Sequence, residues 1–124
     1  MVALQLTLDV ADSQALAAFD DVTHMAFGTG TTNPISSNTG LNTEVYRIAL
    51  ESSTKDTTNN QYTFVGRLPL PQANGSTIVE VGLFNSSSGG TMSVHILLPT
   101  SYVKTSDDEI LVTIVIRVLS INKS

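Results

Sequence analysis

Apolar and polar residues alternate strictly over 2–10. Val2, Leu4, Leu6, Leu8 and Val10 fall on one face and Ala3, Gln5, Thr7 and Asp9 on the other. A period of two is that of a strand buried on one side. The same reading predicts strands at 22–30, 44–52, 60–70, 77–85, 91–99 and 108–120. In 60–70, Tyr62, Phe64, Leu68 and Leu70 share a face. The stretch DEILVTIVIRVLS (108–120) is apolar on both faces, which predicts a central strand. One helix is expected, in DSQALAAFDDV (12–22). Asp12 or Ser13 caps it, and Ala15, Leu16, Ala17, Ala18 and Phe19 make one or two turns.

The connections carry turn chemistry. KDTTNN (55–60) suits a hairpin loop, and NSSSGG (85–90) offers glycines for positive φ. Asn74-Gly75 is a type I′ signal. KTSDD (104–108) makes the last connection. The Thr/Ser/Asn/Gly loop GTGTTNPISSNTGLNT (28–43) is longer than compact domains usually carry, a feature often tied to function. No internal repeat or domain boundary appears. The expectation is a single all-β domain over 1–124: an antiparallel β-sandwich or barrel of seven to eight strands with one short N-terminal helix.

Composition narrows the function. With 124 residues the chain suits one core. Only 14% of residues are charged, against about 25% in ordinary domains, and Ser, Thr and Asn take their place. A sparsely charged surface is easier to desolvate against other protein. The net charge is −5, and the six Lys and Arg are scattered, so nucleic acid is not an expected partner. With no cysteine, neither disulfides nor a thiolate metal site can form. MVALQLTLDV has no basic start and alternates in polarity, unlike a signal peptide. The apolar run at 110–119 is shorter than the ~20 residues of a membrane helix and contains Arg117. No membrane association is expected.

Candidate chemistry is sparse. His24 and His95 each stand mid-strand without a second ligand nearby, and read as partly exposed strand histidines. Asp20-Asp21 and Asp107-Asp108-Glu109 read as solvated charges beside apolar strands. No serine stands in a nucleophile elbow, and GTGTT lacks the Lys of a phosphate cradle. No catalytic residue, metal, cofactor or small-molecule substrate is expected.

Five charged residues lie inside predicted strands: Glu44, Arg47, Arg67, Glu80 and Arg117. Arg47 shares a face with Val45 and Ala49, and Glu80 with Ile78, Gly82 and Phe84. If the faces meet, a buried Arg47–Glu80 pair satisfies both charges. The alternative is Glu80 facing solvent on an outer sheet surface.

Three linked segments resemble a known family. THMAFGTGTTNPISSNTGLNTEVYR (23–47) is similar to the signature of the phage tail-collar fibre N-terminal domain: a strand, a Gly-rich turn, a polar loop with Pro, then L-x-x-E-V-Y-R. RLPLPQANGSTIVEVGLFNSSSGGTM (67–92) resembles its second half, with I-x-E-V-G-L-F before a short turn. PTSYVKT (99–105) is similar to its P-x-x-Y-x-K segment. The resemblance covers roughly residues 12–120 in order. It implies a structural protein of a tailed virus, on the virion exterior at head or tail. Its partners would be further copies, as a homotrimer, and other capsid, tail or baseplate proteins. Glu44, Arg47, Glu80, Gly82 and Lys104 fall on motif positions, which implies a scaffold role, with Glu44, Arg47, Glu80 and Lys104 as structural ion-pair residues. Family members commonly continue into a shaft and receptor-binding tip. This sequence ends at Ser124, which favours a fibre anchor, a small tail or baseplate component, or a capsid decoration protein.

Two segments are expected at interfaces. Leu4, Leu6 and Leu8 form an apolar ridge on the first strand, which either pairs in its own domain or extends a neighbour's sheet. Thr31, Thr32, Asn33 and Pro34 lie on the long uncharged loop. The alternative function is a carbohydrate-binding or adhesive module, which needs exposed aromatics. Aromatics are only 6% of the chain, with no Trp.

Overall fold

The computed structural model describes residues 2–11, 19–31 and 40–119. It has eight strands: β1 Val2–Ala11, β2 His24–Gly28, β3 Glu44–Ala49, β4 Ser52–Asp56, β5 Gln61–Leu68, β6 Thr77–Phe84, β7 Met92–Val103 and β8 Ile110–Leu119. They form two four-stranded sheets, ordered β1-β8-β5-β4 and β3-β2-β6-β7, and neither closes into a barrel.

Alternation sets the inner faces. In β5, Tyr62, Phe64, Gly66 and Leu68 are buried and the residues between them are half-buried. In β8, Ile110, Val112, Ile114 and Ile116 do the same. The second sheet answers with Met25, Phe27, Ile78, Val81, Leu83 and Val94 in the same core cluster. Burying each large side chain contributes about 1.5–3 kcal/mol. Tyr62 and Phe64 stack with ring centroids 4.6 Å apart. At Gly66 a β-carbon would lie 2.6 Å from Met25 Sδ, so the glycine lets β2 approach β5 closely.

Several expectations change. β1 pairs β8 in parallel, from Val2↔Ile110 to Ala11↔Leu119, so the architecture is antiparallel except for that pair. Both ends of the chain thereby enter one sheet side by side. β4 was missed because SSTKD has no apolar residue, and all but Asp56 are exposed. It forms by pairing with β5, as an edge with little to bury. Asn74-Gly75 is not a hairpin turn, since β5 and β6 lie in different sheets. Positive φ falls on Ala73 and Gly75 instead. The NSSSGG connection is a hairpin, with positive φ at Gly89 and Gly90. The expected helix falls largely on 12–18, outside the described residues. Phe19–Asp21 form a turn, and no α-helix occurs among the described residues.

Candidate functional site

β6 is buried on both faces. Val81 and Leu83 belong to the core between the sheets, whereas Glu80, Gly82 and Phe84 alternate with them and are buried too. The register shows what lies beside them. Gly82 stands between Ala26 of β2 and His95 of β7, and Arg47 of β3 is beyond Ala26. Two small residues thus form the floor of a trough with Arg47 and His95 at its sides. The described ends of the 28–43 loop cover it. A β-carbon at Gly82 would lie 2.8 Å from Leu41 Cδ2.

Glu80 is the anchor of that cover. Its side chain has no exposed surface. Oε2 accepts the N–H of Gly30 at 2.9 Å and of Thr43 at 2.8 Å. Oε1 accepts the N–H of Asn42 at 2.9 Å and contacts His95 Nε2 at 2.7 Å. Both ends of the loop are therefore fastened to one carboxylate, and Thr29 N–H donates to Thr43 O between them at 3.0 Å. Burial alone would push the Glu80 carboxyl up. The three backbone donors and His95 outweigh it and hold the group below its ordinary value. An ionised carboxylate only accepts, so His95 Nε2 carries the proton in this contact. The glycines follow from the same geometry. A β-carbon at Gly28 would lie 2.5 Å from Glu80 Oε2 and 2.6 Å from Thr43 O. At Gly30 it would lie 2.2 Å from Asn42 Cβ.

Arg47 does not pair with Glu80. Glu80 lies opposite Gly28, while Arg47 lies opposite Ala26, two residues along β2. Arg47 instead grips Glu44 through Nε at 2.9 Å and Nη2 at 2.7 Å. Its Nη1 donates to Ser86 O and Gly89 O, and its guanidinium lies 3.7 Å from the centre of the Phe84 ring. Arg47 thus ties β3 to the β6–β7 hairpin. Its side chain is 8% exposed, which makes this a partly desolvated contact. Replacing Arg47 with Met is expected to destabilise the fold by about 2 kcal/mol. In a double-mutant cycle with Glu80→Gln the losses should add to within about 0.5 kcal/mol, since no contact joins the two. Clear coupling in chemical denaturation would contradict that.

Lys104 is also buried, but in no ion pair among the described residues. Its Nζ donates to Leu70 O, Asn74 Oδ1 and Thr105 O, each at 2.8 Å. Three donors meet three acceptors, fastening the β5–β6 connection to the end of β7.

The remaining expected residues scatter. Leu4, Leu6 and Leu8 are half-buried and pack on the domain's own core. Thr31 is exposed, while Thr32, Asn33 and Pro34 lie outside the described residues. The His24 ring lies beside its neighbour, with Thr23 Oγ1 2.8 Å from its Nδ1. His95 is half-buried as a residue, in line with the partly exposed strand histidine expected, but its side chain is only 4% exposed. Its role left no signal in the sequence, because counting back across the 85–91 hairpin sets His95 opposite Val81, and only the register shift between Leu83 and Phe84 brings it opposite Gly82, diagonal to Glu80.

The arrangement holds shape. Glu80 and His95 are closed off from solvent, and no cluster of three metal-ligating side chains occurs among the described residues. All four Phe and Tyr62 are buried, which leaves little aromatic surface for stacking on sugar rings. The profile of the family described as phage tail-collar fibre protein, N-terminal, matches residues 6–123. No curated protein and no solved structure matches the chain. The 23–47 and 67–92 segments that carry the resemblance meet at Glu80.

Proposed function

Since the chain belongs to the phage tail-collar fibre protein family, N-terminal domain, and is thus a structural component of the virion at the tail, we propose that it is a small non-enzymatic attachment unit. It contacts other virion proteins through the face covered by the 28–43 loop. The family match over 6–123 carries this reading. A fibre-anchoring or baseplate position fits it better than capsid decoration, because the family is named for the tail collar. The fibre resemblance implies a homotrimer as the working form.

The site favours a contact surface. A long loop lacking charge is held at both ends by a buried carboxylate, which limits how much conformational freedom it must lose on docking. Replacing 31–39 with a Gly-Ser linker leaves the Glu80 contacts in place. The variant should melt within a few degrees of the native protein and fail to enter particles. Normal incorporation, measured on purified virions, would overturn the role assigned to the loop.

A further inference from the structure

Each sheet has two edges, and three of the four carry features that discourage pairing with another chain. β4 is five residues long and includes Lys55 and Asp56. β3 has six residues, carries Glu44 and Arg47, and begins beside a register shift. β7 contains Pro99, and its pairing with β6 is irregular between Glu80 and Ile78. Short length, charge, proline and bulges are the usual protections of a free edge. β1 has none of them except a single charge. It runs ten residues, in unbroken register with β8, without Pro, Lys or Arg. Its one charge, Asp9, is held by Arg117, with Nε 2.7 Å from Oδ1.

The direction of its backbone groups follows from one bond. Val2 N–H donates to Glu109 O at 2.8 Å, while Val2 lies opposite Ile110. In a parallel ladder this aims the N–H and C=O of Val2, Leu4, Leu6 and Leu8 at β8. Those of Ala3, Gln5, Thr7 and Asp9 point away, and β1 ends its sheet among the described residues. On the core side, Leu4, Leu6 and Leu8 pack on the core yet remain half-buried.

We propose that β1 pairs antiparallel with β1 of a second copy, about a twofold axis at Leu6. This register sets Leu6 against Leu6 and Leu4 against Leu8, so the leucines complete each other's burial. It sets Gln5 against Thr7 and Ala3 against Asp9, so no like charges meet. The outward N–H and C=O groups of Gln5 and Thr7 supply the ladder. A partner of opposite charge is not called for, because the edge is nearly neutral. The result is one continuous sheet of eight strands across two copies. The pairing is independent of the tail reading and of any threefold contact. A trimer whose protomers also pair through β1 forms a hexamer.

Because the chain has no cysteine, Leu6→Cys introduces a single thiol. In this register the two copies of residue 6 form a non-hydrogen-bonded pair, with Cα atoms about 4.5 Å apart, within the span of a disulfide. Mild oxidation should give a covalent dimer on a non-reducing gel. The native protein should sediment as an even multiple of its chain mass. Gln5→Pro removes an N–H that β8 does not use, and Thr7→Lys adds an edge charge. Each should halve the sedimenting mass while leaving the melt of the separated unit intact. A native mass of one chain or an odd multiple, no cross-link at residue 6, or an unchanged mass in a folded Thr7→Lys variant would each overturn the proposal.

Discussion

Replacing Glu80 with Gln is expected to destabilise this domain more than any other single change of similar size. The substitution keeps the volume and removes the charge. A carboxamide has one oxygen and one NH2 group, but Glu80 faces donors on both sides. Gly30 and Thr43 N–H point at one oxygen, and Asn42 N–H and His95 Nε2 at the other. Either amide orientation sets an NH2 against donors. Each stranded buried donor costs about 1–3 kcal/mol, so the loss should reach at least about 3 kcal/mol. For a chain of this size that lowers the melting temperature by on the order of 10 °C. The loop ends should loosen first, with faster amide exchange at Gly30, Asn42 and Thr43. Native exchange rates at those three amides, with an unchanged melt, would remove Glu80 from the role given to it.

The same carboxylate predicts a pH dependence with a definite sign. The folded protein holds Glu80 below its ordinary value. Its contribution is therefore complete above the unfolded value of about 4.3 and is lost as pH falls through the depressed folded value. Asp9, Asp20, Glu51 and Asp56 are depressed as well, by hydrogen bonds to Arg117, Tyr62, Arg67 and Asn59 respectively, but they lie at the surface. Their share is screened by solvent and common to both proteins. The difference in melting temperature between the native protein and Glu80→Gln should therefore shrink below about pH 4 and stay constant above it. A gap that widened on acidification would show that Glu80 is not the ionised anchor.

The strands with apolar periodicity were legible in the sequence. Val2, Leu4, Leu6 and Leu8 of β1, Tyr62, Phe64 and Leu68 of β5, and the apolar positions of β8 up to Val118 are buried or half-buried as the alternation marks, whereas Leu70 falls past the end of β5 and is exposed. β4 was not legible, because a polar edge strand exists through its partner's backbone and leaves no apolar trace. The parallel β1–β8 pair was hidden for another reason. Periodicity fixes which face of a strand is buried, but says nothing about which strand lies beside it or in which direction. Glu80 shows the same limit. The sequence marked it as a carboxylate needing a partner, and offered Arg47. It could not show that the answer was mostly backbone, since N–H groups of Gly30, Asn42 and Thr43 carry no side-chain signature. The glycines at 28, 30 and 82 were the readable trace, because all three mark where another group comes too close for a β-carbon.

Lys104→Met is expected to give a loss of about 2 kcal/mol, concentrated in one connection. Methionine fills much of the aliphatic stem's space but provides no donors. The ammonium of Lys104 has no carboxylate partner among the described residues, and rests on two backbone carbonyls and an amide oxygen. Leu70, Asn74 and Thr105 are all exposed residues, but removing the ammonium leaves the Leu70 and Thr105 carbonyls fixed in the backbone without their donor, whereas the Asn74 side-chain oxygen can turn to water. That makes the loss smaller than at Glu80, where three of the four donors are backbone groups fixed at the loop ends. The backbone at 104 should persist, since Lys104 N–H donates to Ser76 O and its own carbonyl accepts from Gly75, each at 2.8 Å. Arginine does not restore the contact, because its planar fork suits paired oxygens rather than three set around a point. Asn74→Ala removes one acceptor and should cost no more than about 1 kcal/mol. Denaturation midpoints for the three variants should therefore fall in the order Asn74→Ala, Lys104→Arg, Lys104→Met, with Gly75 and Ser76 amides exchanging faster in the last. Equal midpoints for Lys104→Met and the native protein would mean that the 70–76 connection is held by its backbone bonds alone.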